Sequence, residues 1–171
     1  MANSTVTQEV VHVEHVKMVS AKKFADVAAA LEASIPKLDP AIAEALAKGD
    51  EQRATELDKG TPLFIFLKRD HGALLQVSRQ PQKAFQYEIG NPHTASKMTR
   101  HRLAAGLYAP LRVFLYEDEN GNSVIEYDKP SSLFGQFGDE PVSEVARELD
   151  VTLERMLQRA QNLLEAHGVR G

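Results

Sequence analysis

The segment from residue 111 to residue 127 constrains the fold more than any other part of the chain. Two runs, Leu111–Glu117 and 123–127, are rich in aromatic and aliphatic residues and are separated by Asn120-Gly121. A glycine at such a turn supplies the positive φ that a tight reversal needs, so the segment predicts a β-hairpin near the centre of a sheet. Alternate side chains of its first strand point to opposite faces: Leu111, Val113 and Leu115 to one, and Arg112, Phe114 and Tyr116 to the other.

The N-terminal third predicts one strand followed by helices. Residues 6–19 are β-branched and alternating but change phase midway, so a strand with a bulge near Glu14 is expected. The apolar residues that follow recur at helical spacing, and Ser20 is the expected N-cap. Asp39-Pro40 places an N-cap before a proline at the first helical position, which predicts a helical elaboration over residues 37–60.

The remaining segments complete an α+β pattern. Apolar runs bounded by turn residues predict three further strands, at 63–68, 74–78 and 85–89. A polar helix is predicted at 94–107, a loop at 131–140, and a long helix at 141–168. The order βα(α)βββαββα predicts a mostly antiparallel sheet that is covered by the C-terminal helix.

Length and charge limit the class of protein. A chain of 171 residues is expected to form a single domain, residues 1–171. The net charge of −4 argues against a nucleic-acid partner, and we interpret the basic residues Lys97, Arg100, His101 and Arg102 as a solvated helix face. No apolar run approaches the roughly 20 residues of a membrane span, and the N-terminus lacks the features of a signal peptide. A cytoplasmic protein without a membrane partner is therefore expected.

Several short motifs between residues 62 and 130 occur in one order. They are Tyr87-Glu88-Ile89-Gly90-Asn91-Pro92, then Met98, then 109–118 (Ala-Pro-Leu-Arg-Val-Phe-Leu-Tyr-Glu-Asp), then Gly121, Ile125, Tyr127 and Pro130. This pattern resembles the core of the domain-of-unknown-function family 302, in which a Leu-Pro stands where this chain has Ala109-Pro110. The resemblance implies a compact α+β fold of the TATA-binding-protein-like type, and it implies no activity.

No catalytic signature is present. The chain has no Gly-x-Ser-x-Gly elbow, no phosphate-binding glycine loop and no His-Glu-x-x-His motif. Glu88 and Glu126 would form a paired-carboxylate site only if they faced one cavity. His12 and His15 are three residues apart, which on a strand places them on opposite faces. The chain has no cysteine, which excludes thiolate catalysis and cysteine-ligated zinc or iron–sulfur sites. Neither a metal nor a cofactor is expected, and a non-enzymatic protein is predicted.

The binding hypothesis centres on the loop that carries Asn91, Pro92 and His93. A strand that leads into a helix N-terminus exposes backbone N–H groups, which favour an anionic or strongly polar ligand. His93 would add a proton-dependent hydrogen bond, while Tyr87 and Met98 would supply an apolar wall. The predicted ligand is a small molecule with a polar or anionic head and an apolar body. Alternatively, Asn91 only ties the turn and Pro92 starts the helix.

Two functions remain open at this point. In the first, the aromatic residues of the sheet enclose a small ligand together with the Asn91 loop; these residues are Phe64, Phe66, Phe85, Tyr87, Phe114 and Tyr116. In the second, a second copy of the chain buries that aromatic face, and the domain serves in homo-oligomeric interaction. A homodimer is expected, because residues 63–67 are apolar on both faces and the far end of the C-terminal helix, around Leu163-Leu164, exceeds the needs of one sheet.

Overall fold

Five strands form one antiparallel sheet within residues 4–162, the part of the chain that the computed structural model describes. The strands are β1 (His15–Ser20), β2 (Phe64–Asp70), β3 (Ala84–Gly90), β4 (Leu111–Glu117) and β5 (Ser123–Asp128). Their order across the sheet is β1-β5-β4-β3-β2, so β4 is the central strand. The predicted α+β class and the β4–β5 hairpin are confirmed, with Gly121 at φ +80° in the turn.

Helices occupy the connections and the C-terminal region. They are α1 (Phe24–Ser34), α2 (Pro40–Ala47), α3 (Glu51–Asp58), α4 (His71–Leu74), α5 (Pro92–Thr99), α6 (Pro130–Phe134) and α7 (Glu140–Asn162), with 3-10 turns at Leu75–Ser78, Leu103–Tyr108 and Gly135–Phe137. No helix among the described residues is both long enough and apolar enough to cross a bilayer.

The main core lies between one face of the sheet and helices α1 and α7. Leu31 of α1 and Leu153 of α7 are fully buried in it, together with Tyr87, Val113 and Ile125 from the three inner strands. Burying an aliphatic side chain of this size contributes roughly 1.5–3 kcal/mol. The C-terminal helix therefore covers the sheet as predicted. Its expected extension to residue 168, and the contact expected around Leu163-Leu164, lie outside the described residues. The TATA-binding-protein-like assignment stays a prediction.

The segment 37–60 forms α2 and α3, and it has a small core of its own. The Asp39 carboxylate accepts a hydrogen bond from the backbone N–H of Ala41 at 2.9 Å, with Pro40 at the first helical position. Ile42 and Ala54 are fully buried against Phe64 at the start of β2. This pair of helices therefore covers the beginning of β2.

The predicted strand at residues 6–19 is wrong in its first half. Regular pairing with β5 begins at His15, opposite Asp128, and continues to Ser20 without a shift of register, so no bulge interrupts β1. Residues 4–14 have no strand to pair with, because the chain leaves β5 after Asp128 and enters α6 at Pro130. Ser20 does not cap α1, which begins after Lys23.

Three other predictions differ from the structure. The predicted strand at 74–78 is α4 followed by a 3-10 turn, because β2 pairs directly with β3 and leaves no place for a strand between them. The Asp70 carboxylate caps α4 by accepting from the backbone N–H of Ala73 at 2.8 Å. The predicted helix at 94–107 is divided into α5 and a 3-10 turn, and the predicted loop at 131–140 contains α6.

Candidate functional site

The turn from β3 into α5 is held by Asn91. Its Oδ1 accepts hydrogen bonds from the backbone N–H groups of His93 at 2.8 Å and Thr94 at 3.4 Å. Its Nδ2 donates to the carbonyl oxygen of Thr61 at 2.9 Å. Pro92 occupies the first helical position and has no N–H, while the N–H of Ala95 already binds the carbonyl of Asn91 at 2.9 Å.

The start of α5 therefore lacks free donors for an anion. The free N–H groups at a helix N-terminus are what attract an anionic ligand, and here the Asn91 side chain already accepts from them. The expected contact between these N–H groups and an anionic ligand head is not available. The geometry agrees with the alternative, in which Asn91 ties the turn and Pro92 starts the helix.

An apolar cleft of about 100 Å³ lies beside this turn. Its walls come from β2, from both ends of α5, from the segment before β4, from α6 and from α7, and include Phe66, Pro92, Met98, Pro110, Phe134 and Leu149. Gly90 lets two of these walls approach, since a Cβ there would lie 3.4 Å from Cε2 of Phe66 and 3.5 Å from Cβ of Pro110. Asn91 and Thr94 are the polar residues of the lining.

Of the five residues predicted for the site, Asn91, Pro92 and Met98 line the cleft. Met98 turns inward, as the hypothesis required, and its side chain is 2% exposed. These three converge because Met98 lies about two helical turns after Asn91, which brings it to the same side of α5. The structure thus brings together three of the five predicted residues.

His93 lies away from the cleft, on the side of α5 that faces α3. Its Nε2 is 3.0 Å from Oε1 of Glu51, and its Nδ1 is 3.8 Å from Oδ2 of Asp58. The hydrogen bond from His93 lowers the pKa of Glu51. His93 thus connects two helices and does not add a hydrogen bond at the cleft.

Tyr87 is also placed elsewhere than predicted. It is fully buried in the main core, and its hydroxyl donates to Oε1 of Glu32 on α1 at 2.8 Å. Burial raises the pKa of Tyr87, and the bond to Glu32 adds to that effect. The expected apolar wall of Tyr87 and Met98 does not form, and Phe66 and Pro110 take the place of Tyr87 beside the cleft.

The aromatic residues of the sheet do not share one face, which corrects a second expectation. Tyr87 of β3 is opposite Val113 of β4, whereas Phe114 is opposite Gln86. Phe85 and Tyr87 therefore point into the main core, and Phe114 and Tyr116 point to the other face of the sheet. Phe64 packs with α2 and α3, while Phe66 borders the cleft.

Glu88, Glu126 and His15, which were named from the sequence, are engaged in ion pairs. Glu88 and Glu126 lie on β3 and β5 with β4 between them, so they do not form a pair. Glu88 binds Arg69 at 2.6 Å. His15 lies between Asp128 and Glu126, at 2.9 and 3.0 Å, and these hydrogen bonds raise the pKa of His15. Residues 4–162 contain no group of three or more His, Asp or Glu side chains arranged to hold a metal ion.

Comparison with known proteins gives a family and a fold. The model of the family "Domain of unknown function DUF302" matches residues 51–160, which confirms the resemblance seen over 62–130. A crystal structure of an uncharacterized conserved DUF302 protein from Bacillus stearothermophilus is similar, with a TM-score of 0.63 and 19% sequence identity. The match covers 85% of this chain and 97% of that one, and at this identity it supports the fold alone. No curated protein matches.

Proposed function

Since this chain belongs to the DUF302 family, whose function is unknown, we propose that it is a non-enzymatic domain that binds a small molecule in the cleft beside Asn91. The supporting observation is that this cleft stays open among buried apolar side chains while the polar groups of the adjoining turn are satisfied. The turn is thus a rigid border of the cleft, and the apolar walls are the surface left for a ligand.

The size of the cleft limits the apolar body of the ligand. A volume of about 100 Å³ is smaller than the cavity of about 150 Å³ that accommodates benzene in another protein. A short aliphatic group of a few carbons fits this space. Met98 adds adaptability, because an unbranched thioether fills irregular gaps and adjusts its rotamers.

Thr94 is the best partner for the polar head of such a ligand. It lines the cleft, and its hydroxyl makes no hydrogen bond to protein among the described residues. A hydroxyl both donates and accepts, so it suits either an alcohol or a carboxylate head. The proposed ligand therefore has a short apolar body inside the cleft and a polar or anionic head at Thr94.

Thermal unfolding with 1-butanol and with sodium butyrate tests this function. The wild type and Ala43→Leu, a control at an exposed position of α2, should show the same increase in Tm. Ala95→Leu, which places a larger side chain into the cleft lining, should show none. His93→Ala should respond like the wild type, because its side chain faces α3. An equal response of Ala95→Leu, or no response of the wild type to either compound, would rule out the site.

A second candidate function is homodimerisation through the edge strand β2. Phe66 and Leu67 are 37% and 41% exposed there, although Leu63, Phe64 and Ile65 are buried within one chain. An exposed apolar edge strand can pair with a copy of itself. Light scattering at micromolar concentration should then show a dimer for the wild type and for Leu103→Lys, and a monomer for Leu67→Lys. A monomeric wild type rejects this candidate.

A further inference from the structure

The sheet face opposite the main core carries a group of three rings. The centroids of Phe114 and Tyr116 are 5.7 Å apart, with an angle of 37° between their planes. His71, at the start of α4, meets the Phe114 ring edge-on at 5.6 Å and 84°. Helix α4 and its 3-10 turn therefore stand beside the aromatic residues of β4.

These rings border a second cleft, of about 410 Å³, which shares no residue with the cleft beside Asn91. Leu74 and Leu75 form its other apolar wall and are 66% and 41% exposed. The volume lies in the range of about 300–1,000 Å³ that is typical of small-molecule sites. The combination of a ring cluster with uncovered leucines favours a planar aromatic molecule, since aromatic rings pack against one another edge-on or offset.

His71 adds a polar requirement to this cleft. His71 lines the cleft. Its Nε2 atom is buried and has no hydrogen-bond partner among the described residues. A buried polar atom without a partner is unfavourable unless a ligand or water completes its hydrogen bond. A hydroxyl group both donates and accepts, so it would satisfy Nε2 in either tautomer of the imidazole.

The charge of the lining argues for a neutral ligand. Lys83 and Glu117 both line the cleft, and Nζ of Lys83 lies 2.8 Å from each carboxylate oxygen of Glu117. The two opposite charges offset each other, so neither an anionic nor a cationic head would gain an unpaired partner. We propose that this cleft is a second binding site, which takes a neutral hydroxylated aromatic molecule with its hydroxyl on His71.

Amide NMR titration of the full chain with 2-naphthol tests the proposal, with 2-naphthoate as the charged comparison. Saturable shifts should concentrate at residues 71–84 and 114–117, and 2-naphthoate should bind more weakly. His71→Phe keeps a ring but removes Nε2, so its Kd for 2-naphthol should rise about tenfold, the effect of losing one hydrogen bond. His12→Phe, at an exposed histidine, should bind like the wild type.

A second variant keeps the test decisive if His71→Phe disturbs the fold. Leu75→Lys changes a partly exposed wall residue and should also weaken binding. Equal affinity in Leu75→Lys and the wild type would overturn the proposal, as would an absence of saturable shifts in the wild type. Shifts at the same residues on raising the protein concentration alone would also overturn it, because a second copy would then cover this face. Ala95→Leu should bind 2-naphthol with the affinity of the wild type, because Ala95 does not line this cleft. The experiment with butanol and butyrate therefore tests the cleft beside Asn91 independently of this proposal.

Discussion

The Asn91 side-chain amide donates a hydrogen bond to the carbonyl oxygen of Thr61 at 2.9 Å, and its Oδ1 accepts from the backbone N–H of His93 at 2.8 Å. One side chain thereby joins the approach to β2 with the first turn of α5. Asn91 is 6% exposed, so water cannot readily replace these bonds. Asn91 lines the cleft because the turn that it holds together forms one border of that cleft.

Replacing Asn91 should therefore destabilise the fold. We expect Asn91→Ala to lower the free energy of unfolding by about 1–2 kcal/mol, through loss of the cap and of the bond to Thr61. Asn91→Asp keeps an N-cap acceptor but loses the Nδ2 donor. Urea denaturation measures both changes. A loss below about 0.3 kcal/mol in Asn91→Ala would contradict the structural role of this residue.

A pair of glycine substitutions tests how closely α4 packs on the segment that leads into β3. A Cβ added at Gly72 would overlap the backbone carbonyl oxygen of Gln82, which cannot turn aside as a side chain can. We expect Gly72→Ala to lower the free energy of unfolding by about 1–3 kcal/mol.

Gly135→Ala is the matched control. Gly135 has helical φ and ψ of −62° and −23°, and a Cβ there meets nothing within 4 Å. This substitution should leave stability unchanged or raise it by about 0.4–1 kcal/mol. If both variants have the same urea midpoint, α4 does not pack closely against the backbone of Gln82.

The features predicted correctly are those set by local sequence. The β4–β5 hairpin follows from alternation and Gly121, and the start of α2 follows from Asp39-Pro40. The errors arise where contacts between distant segments determine the secondary structure. Residues 6–13 have the pattern of a strand but find no partner, and the short apolar run at 74–78 is helical because β2 and β3 already pair with each other.

The cleft could be predicted only in part. Asn91 and Met98 could be predicted from the sequence, because a strand end, a cap and a helix follow one another along the chain there. Phe66, Pro110 and Leu149 come from distant segments, and no local pattern connects them. His93 was misplaced because an i+2 position on a helix points away from the residue that caps it.

Tyr87 provides a test that separates a core role from a binding role. Its hydroxyl donates to Glu32, which also accepts from Lys68 at 2.6 Å. Tyr87→Phe should lower the free energy of unfolding by about 1 kcal/mol at neutral pH and leave the response to butyrate unchanged. Tyr127→Phe is the control, because Tyr127 is buried but its hydroxyl makes no hydrogen bond among the described residues. If Tyr87→Phe loses the increase in Tm with butyrate, Tyr87 belongs to the binding site after all.

His15 makes the stability of the β1–β5 pair depend on pH. Hydrogen bonds to Asp128 and Glu126 raise its pKa above the ordinary value of 6.5. The folded protein therefore binds this proton more tightly than the unfolded chain does, so the stabilisation is fully present below pH 6.5. It is lost as the pH rises through the folded pKa. The wild type should exceed His15→Gln in free energy of unfolding at about pH 5.5, and the difference should shrink by about pH 8.5. His12→Gln, at an exposed position outside the strands, should show no such dependence in urea denaturation. A difference that is constant with pH, or larger at the alkaline end, would show that His15 does not bridge the two carboxylates in solution.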